Sequence, residues 1–186
     1  TALLHDVVED SSVTIQDIKE LFGLEISKLV DGVTKLTKIE LKFGLAQAEN
    51  FRKLLISSSD DIRVLLVKLA DRLHNIRTIE GIKDKQRQIK ICKETLEIYV
   101  PLAERLGIVG IQSELEEKCF FIINNETRNS IQKRLDLIYS EDKVNIPLII
   151  KEIKKIALDK KIFVDITGRK KTCYSIWKKM QIKKVG

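Results

Sequence analysis

The sequence predicts a mainly α-helical protein with one β-strand near its end. Apolar residues recur three and four positions apart over most of the 186 residues, the spacing of helices with one buried face. The chain holds only two prolines, and 44% of its residues are apolar, as in globular proteins. Clear period-two alternation occurs only at residues 162–167, and it predicts the strand. This length suffices for one good-sized domain and part of another.

The first predicted helices are bounded by capping residues. Residues 5–10 fit one helix, and Thr14 with Asp17 three positions later forms a capping box that starts the next helix. Gly23 ends that second helix. A short helix at 25–30 is expected to follow.

The glycine within residues 31–36 then predicts a turn and loop, because glycine tolerates positive φ. An amphipathic helix is predicted at 47–56. The polar break at 57–60 supplies an N-cap for a helix that carries Asp71. The apolar face of this Asp71 helix is expected to lie in the core and consists of Leu65, Leu66, Leu69, Leu73 and Ile76.

The middle of the chain continues with helices. Residues 84–99 form one, and Pro101 starts a kink or a new helix that runs to Gly107. Two more helices are predicted at 108–123 and 126–139.

The pattern changes at Asn145, which caps a helix over 146–158 with an early proline. The strand 162–167 follows, and the basic turn 168–171 leads into a last helix at 172–182. A strand, a glycine-containing basic turn and a helix N-terminus in this order can bind phosphate.

Composition excludes several classes of protein. No run of 18 apolar residues and no signal-peptide pattern is present, so we expect no membrane partner. Cys92, Cys119 and Cys173 are widely spaced without a Cys-x-x-Cys pair, which indicates neither a disulfide framework nor a thiolate zinc site. A reducing cytoplasm is the expected location.

The net charge of +7 is concentrated at the end of the chain. Residues 151–186 hold twelve Lys or Arg against three acidic residues, a local charge of +9, which leaves about −2 for residues 1–150. This basic block is either a solvated face or a surface for nucleotide phosphates or RNA. Its aromatic residues, Tyr174 and Trp177, lie three apart on one helix face and favour a core role over stacking on RNA.

Two segments hold the residues with chemical potential. In a helix, His5 would stand over Glu9 and Asp6 over Asp10. Some sixty residues later, polar residues fall at i, i+3, i+7 and i+10 on one helical stripe: Lys68, Asp71, Asn75 and Thr78. Bringing the two helices together would place one imidazole and several carboxylates around a point, a donor set suited to Mn²⁺, Mg²⁺ or Fe.

Five segments resemble a known family, and they occur in the family's order: Ala2 to Asp10, Asp31 to Leu36, Gln47 to Lys53, Lys68 to Thr78 and Ile98 to Gly107. On these motifs the chain resembles the HD-domain hydrolases and, within them, the RelA/SpoT homologues, which synthesise and hydrolyse guanosine tetra- and pentaphosphate. The resemblance implies an HD-domain helical bundle followed by the first strand and helices of an α/β nucleotidyltransferase-like synthetase domain. The implied domains are an HD hydrolase domain at 1–125 lacking its N-terminal helices, a connecting helix at 126–145 and an incomplete synthetase domain at 146–186.

The resemblance also implies a hydrolase site. Mn²⁺ would be held by His5, Asp6 and Asp71, while Glu9 and Asp10 would organise or deprotonate the water that releases pyrophosphate from the ribose 3′ position. The family's further histidine ligand lies upstream of this chain's first residue. The chain's other histidine, in the Leu-His-Asn segment, would have a packing or supporting place.

Four residues of the second segment would bind the substrate: Lys68, Arg72, Asn75 and Thr78. Asn75 and Thr78 would contact the nucleoside, whereas Arg72 could equally be a salt-bridge partner. An alternative of another class is a non-catalytic fragment that binds guanine nucleotide or a partner protein.

The end of the chain resembles the opening of the synthetase domain, with nucleotide contacts at Arg169, Lys171, Ser175 and Lys179. Lys170 departs from the proline usual after the arginine. The strand with the synthetase's catalytic aspartate is not included, so no synthesis is expected. Ribosome or RNA contact is expected only through parts of the full-length family that this chain lacks.

Overall fold

The structure, a computed structural model, describes residues 1–43, 61–140, 145–168 and 170–184. Most of these residues are helical, which confirms the predicted class. The chain divides into two compact units, Thr1–Ile123 and Asn124–Gly186. Among the helices described, none has both the length and the apolar character needed to cross a bilayer.

The first unit is a helical bundle. Its elements in chain order are a 3₁₀ turn Ala2–Leu4, α1 (Val7–Asp10), α2 (Ile15–Phe43), α3 (Ile62–Arg77), a 3₁₀ turn Ile79–Gly81, α4 (Lys85–Glu94), a π-helical turn Thr95–Tyr99, α5 (Val100–Arg105) and α6 (Val109–Ile123). Helix α3 packs against α2 and α6, and α6 also packs against α4 and α5. The fully buried side chains at the centre include Val33, Leu69, Leu102 and Leu115. This core fixes the helix that carries Asp71.

Side chains start the helices much as predicted. Oδ2 of Asp17 accepts hydrogen bonds from the backbone N–H and the hydroxyl of Thr14, both at 2.7 Å, which confirms the capping box. Helix α3 is capped by Asp61, whose carboxylate accepts from Arg63 N at 2.9 Å. The cap therefore lies one residue beyond the predicted break at 57–60, which falls outside the described residues together with the predicted helix 47–56.

The turn and loop predicted at 31–36 is wrong, because α2 continues through it to Phe43. The break lies earlier, at Gly23, whose φ of 84° and ψ of 169° are accessible to glycine almost alone. Gly32 is instead a packing residue. A Cβ there would lie 2.9 Å from a methyl carbon of Val64, so its hydrogen side chain permits the close approach of α2 and α3.

The helix predicted at 84–99 ends in a different form. The N–H of Val100 donates to the carbonyl of Thr95, five residues earlier, so the last turn is π-helical. Pro101 then stands near the start of α5, as predicted, since proline fits the first helical turn. The end of α5 is marked by Gly107, with φ of 72°.

The second unit contains α7 (Asn125–Ser140), α8 (Ile146–Asp159) and α9 (Cys173–Lys183). Helices α7 and α9 pack together, and the Cys173 thiol donates to Oε1 of Gln132 at 3.2 Å. The cap at Asn145 is confirmed by its hydrogen bond from Leu148 N. The strand predicted at 162–167 is wrong, because these residues have no regular secondary structure. A strand needs a hydrogen-bonded neighbour, and the described residues include no second strand to pair with it.

Candidate metal centre

His5 and Asp6 lie in the turn between the first 3₁₀ turn and α1, so the prediction of one helix over residues 5–10 is wrong in its first two positions. The turn still orients the imidazole. Nδ1 of His5 lies 2.7 Å from the carbonyl oxygen of Ala2, which can only accept, so Nδ1 carries the hydrogen. In the neutral ring this leaves the lone pair on Nε2, directed away from that carbonyl.

Three predicted ligands come together at this point. Nε2 of His5 lies 2.9 Å from Oδ2 of Asp6 and 3.3 Å from Oδ1 of Asp71. One donor atom from each residue lies within 4.8 Å of the other two. The turn before α1 supplies His5 and Asp6, and α3 supplies Asp71.

The donor set fits a divalent cation. Nε2 of His5 is buried and makes no hydrogen bond of acceptable geometry, although two carboxylate oxygens surround it. A neutral imidazole nitrogen facing carboxylate oxygens places lone pair against lone pair, which is unfavourable unless a positive charge lies between them. A backbone carbonyl on the other ring nitrogen is the usual support of a metal-binding histidine. Two hard carboxylates with one imidazole nitrogen, a donor of intermediate softness, form a set suited to Mn²⁺, Mg²⁺ or Fe.

Helix α3 presents two polar neighbours to Asp71. Lys68 is 6% exposed, and its Nζ lies 4.0 Å from Oδ2 of Asp71. The side-chain amide of Asn75 donates to Oδ1 of Asp71 at 3.1 Å. The predicted apolar face of α3 is correct except at Leu66, which is 41% exposed. Val64, which the sequence analysis left out of that face, is buried because it contacts Gly32 on α2.

The other predicted residues of α3 point in different directions. The guanidinium of Arg72 contacts both the ring and the hydroxyl of Tyr99. The hydroxyl of Thr78 donates to the carbonyl of His74 at 3.0 Å and closes the helix. His74 itself is exposed, so its predicted packing role is wrong.

Glu9 and Asp10 are exposed at the end of α1. The backbone N–H groups of both residues donate to the carbonyl of Asp6, at 3.0 and 2.9 Å. Their carboxylates therefore follow the ligand turn within one helical turn. Neither belongs to the three-residue cluster.

The predicted nucleotide contacts of the second unit lie around the start of α9. Lys171 and Lys179 are exposed, and Arg169 falls outside the described residues. The Ser175 hydroxyl oxygen accepts from the hydroxyl of Thr172, the residue that caps α9, at 2.9 Å.

Sequence reasoning missed two partners of the site. One is the Ala2 carbonyl, a backbone group that residue identity cannot reveal. The other is Tyr99, the last residue of the helix predicted at 84–99, whose hydroxyl accepts from Arg72. A buried tyrosine has a hydroxyl that usually needs a partner, and this was the available signal.

Two thiols lie beside the helix that carries the ligand. Cys92 and Cys119 are fully buried and share a hydrogen bond. That bond, followed by burial, raises the pKa of Cys119. The same bond, and to a smaller extent the positive charge of Arg72, lowers the pKa of Cys92.

Comparison with known proteins gives a family match. Residues 1–109 match the model of the family described as HD domain. This range includes all three clustered ligands and covers more than half of the chain.

Three curated relatives are similar over nearly the whole chain. A guanosine-3′,5′-bis(diphosphate) 3′-pyrophosphohydrolase of Haemophilus influenzae is 44% identical over 98% of this chain, and the GTP pyrophosphokinase rsh of Brucella ovis is 43% identical over 98%. A protein of Spiroplasma citri with the same name as the first is 44% identical over 96% of this chain. The chain spans about a quarter of the length of these relatives, 24% to 27%. The match over residues 1–109, with a histidine and two aspartates gathered inside it, shows that the chain belongs to the HD-domain family.

Proposed function

We propose that this chain is a metal-dependent hydrolase that removes pyrophosphate from the ribose 3′ position of guanosine tetra- and pentaphosphate. The observation that carries the proposal is the convergence of His5, Asp6 and Asp71, with an orphaned imidazole nitrogen at its centre. The names of the Haemophilus influenzae and Spiroplasma citri relatives support the choice of substrate.

We assign Mn²⁺ to the site. His5, Asp6 and Asp71 would hold it, through one nitrogen and two carboxylates. When bound, a divalent cation supplies positive charge that offsets the charge of a phosphoryl group and acidifies water. The buried ammonium group of Lys68, beside Asp71, would add a second positive charge to that of the cation. Phosphate oxygens of the substrate would approach both charges.

The carboxylates of α1 are assigned the proton transfer. This assignment is supported by their position, since Glu9 and Asp10 are exposed to solvent and directly follow the turn that carries His5 and Asp6. One of them would accept the proton of the attacking water, since a positioned carboxylate is a competent general base. The water oxygen would bond to the phosphorus attached to the 3′ oxygen while the bond between that phosphorus and the 3′ oxygen breaks, so that pyrophosphate leaves and the 3′ oxygen takes up a proton.

Substrate binding is assigned to one side of α3. Asn75 and Thr78 are exposed near its C-terminal end and would contact the nucleoside. Asn75 also touches Asp71, so its amide links substrate recognition to the ligand. The guanidinium of Arg72 points to Tyr99.

The test is release of pyrophosphate from guanosine tetraphosphate in the presence of Mn²⁺. We expect weak release by the unaltered chain, in which three of the four ligands implied by the resemblance are present, and loss of that release in Asp71→Asn, because the change removes a ligand charge. The matched control is Asp165→Asn, an exposed carboxylate of the second unit, which should retain activity. Binding of Mn²⁺ without any pyrophosphate release would contradict the proposed reaction.

A further inference from the structure

Arg72 follows the ligand Asp71 on α3 and points into the bundle. Its guanidinium carbon lies 4.2 Å from the centroid of the Tyr99 ring. Its Nη2 donates to the Tyr99 hydroxyl at 3.2 Å. The guanidinium therefore contacts both the face of the Tyr99 ring and its hydroxyl. Because Tyr99 is only 1% exposed, the ring is held in place by the core.

Tyr99 occupies a special place in its own helix. It ends the π-helical turn Thr95–Tyr99, where the backbone bond spans five residues. One extra residue in a turn shifts the direction of the side chains that follow by about 100° relative to a regular α-helix. The Thr95 hydroxyl donates to the carbonyl of Ile91 at 2.8 Å and ties this turn to α4. The Tyr99 ring is thus held in a fixed position, and the Arg72 side chain of α3 packs against it.

The rotation of α3 about its axis decides where the Asp71 carboxylate lies. A side-chain oxygen about 5–6 Å from a helix axis moves by about 1 Å when the helix rotates by about 10°. The contact between Asp71 and His5 is only 3.3 Å, so such a rotation would change it substantially. Arg72, as the next residue along the helix, is well placed to prevent that rotation.

We propose that Arg72 is a positioning residue, which acts through Tyr99 to hold α3 at the rotation that presents Asp71 to His5. It does not contact the substrate. To reach a nucleotide, the guanidinium would have to leave the ring face and give up its bond to the Tyr99 hydroxyl. This inference rests on the proposed function, since it concerns the same metal centre.

The experiment measures Mn²⁺ affinity without nucleotide, and separately kcat and KM for guanosine tetraphosphate. The variants are Arg72→Met, which keeps the stem and removes the charge, Tyr99→Leu and the double variant. Each single change should weaken Mn²⁺ binding by at least about tenfold, as loss of support to a metal ligand does. The double variant should bind Mn²⁺ no more weakly than either single variant, because each single change already removes the contact between Arg72 and Tyr99. KM should stay unchanged while kcat falls.

The matched control is Arg77→Met on the same helix. It removes the paired hydrogen bonds of 2.6 and 2.7 Å to Glu114 and should leave Mn²⁺ affinity unaltered. Tyr99→Phe keeps the ring in the core and covers the case in which Tyr99→Leu does not fold. Losing the hydroxyl alone should weaken Mn²⁺ binding about two- to tenfold, the range for one hydrogen bond.

Two results would overturn the inference. A raised KM in Arg72→Met with unchanged Mn²⁺ affinity would make Arg72 a substrate contact. Additive losses in the double variant would show that the two side chains act separately. A chain that binds Mn²⁺ but releases no pyrophosphate would refute the proposed reaction, yet the Mn²⁺ titrations would still decide the role of Arg72.

Discussion

The side-chain amide of Asn75 donates to Oδ1 of Asp71 at 3.1 Å, and the same oxygen lies 3.3 Å from Nε2 of His5. The amide therefore restrains the carboxylate one helical turn away, at i−4. The sequence motif predicted a contact between Asn75 and the nucleoside. The structure shows a contact with the Asp71 carboxylate, which Asn75 restrains.

We predict that Asn75→Ala weakens Mn²⁺ binding by about 10- to 100-fold, as other supporting residues of metal sites do. The carboxylate of Asp71 would lose its fixed orientation while keeping its charge. Titration with Mn²⁺ in the absence of nucleotide measures the effect, and Asn129→Ala on an exposed face of α7 is the matched control. Unchanged Mn²⁺ affinity with a raised KM would restrict Asn75 to the nucleoside.

The paired change Glu9→Gln and Asp10→Asn should abolish hydrolysis and leave Mn²⁺ affinity mostly intact. Both residues are exposed and outside the ligand cluster, so they are expected to act on water without holding the ion. Pyrophosphate release and Mn²⁺ titration on the same preparation separate the two properties. A loss of Mn²⁺ binding as large as the loss of activity would make these carboxylates ligands.

Replacing Gly23 by alanine should lower the free energy of unfolding by about 1–3 kcal/mol, the cost of a residue in a backbone region reserved for glycine. The reason is its φ of 84° and ψ of 169°, since a Cβ at this position meets no atom within 4 Å. Gly81→Ala is the control, because that glycine also has open space and its φ is not positive. Denaturant unfolding of both variants gives the comparison. Equal effects would remove the backbone explanation.

Stability should depend on pH through Glu114. The hydrogen bonds from Arg77 hold the pKa of Glu114 below its usual value, so the folded state binds this proton less readily than the unfolded state. The contribution is fully present above the ordinary glutamate pKa and is lost as pH falls through the lowered value. The difference in unfolding free energy between the unaltered chain and Glu114→Gln should therefore shrink under acid conditions. A difference that grows on acidification would contradict a lowered pKa of Glu114 in the folded state.

All three thiols should resist modification in the native protein. Cys92 and Cys119 are completely buried and Cys173 is 2% exposed, so a reagent cannot reach them in the folded state, even though the pKa of Cys92 is lowered by its hydrogen bond with Cys119. Although the thiolate is the reactive form, an aromatic disulfide reagent should therefore detect no rapidly reacting thiol before unfolding and three afterwards. Rapid reaction of one thiol under native conditions would show that the bundle opens locally.

Residue chemistry predicted the cluster of donor groups better than it predicted the local backbone. Donor types on segments with one apolar side predicted an imidazole and carboxylates around one point, and the resemblance to the HD-domain hydrolases selected His5, Asp6 and Asp71 among them. Their conformation was not predicted, because His5 and Asp6 lie in a turn where the periodicity suggested a helix. A spacing of four residues cannot distinguish a helix from a turn followed by a short helix.

Glycine was the main source of error elsewhere. Gly32 was interpreted as a turn residue, although the structure uses it for close packing against Val64. The sequence shows the glycine but does not show that Val64 packs against it. The alternation at 162–167 likewise predicts a strand only if a second strand lies beside it. Both errors concern partners distant in the chain, which local patterns do not specify.

The first ten residues pack only loosely against the bundle, and this affects how His5 and Asp6 come together with Asp71. Neither the 3₁₀ turn Ala2–Leu4 nor α1 contributes a buried side chain, although this segment supplies two of the three clustered donors. Segments without buried apolar contacts open at much lower free energy than the bundle around them. An ion that binds only the closed form would favour closure by mass action. Amide hydrogen exchange in residues 2–10 should therefore slow on addition of Mn²⁺, while exchange in the centre of α3 stays governed by global unfolding.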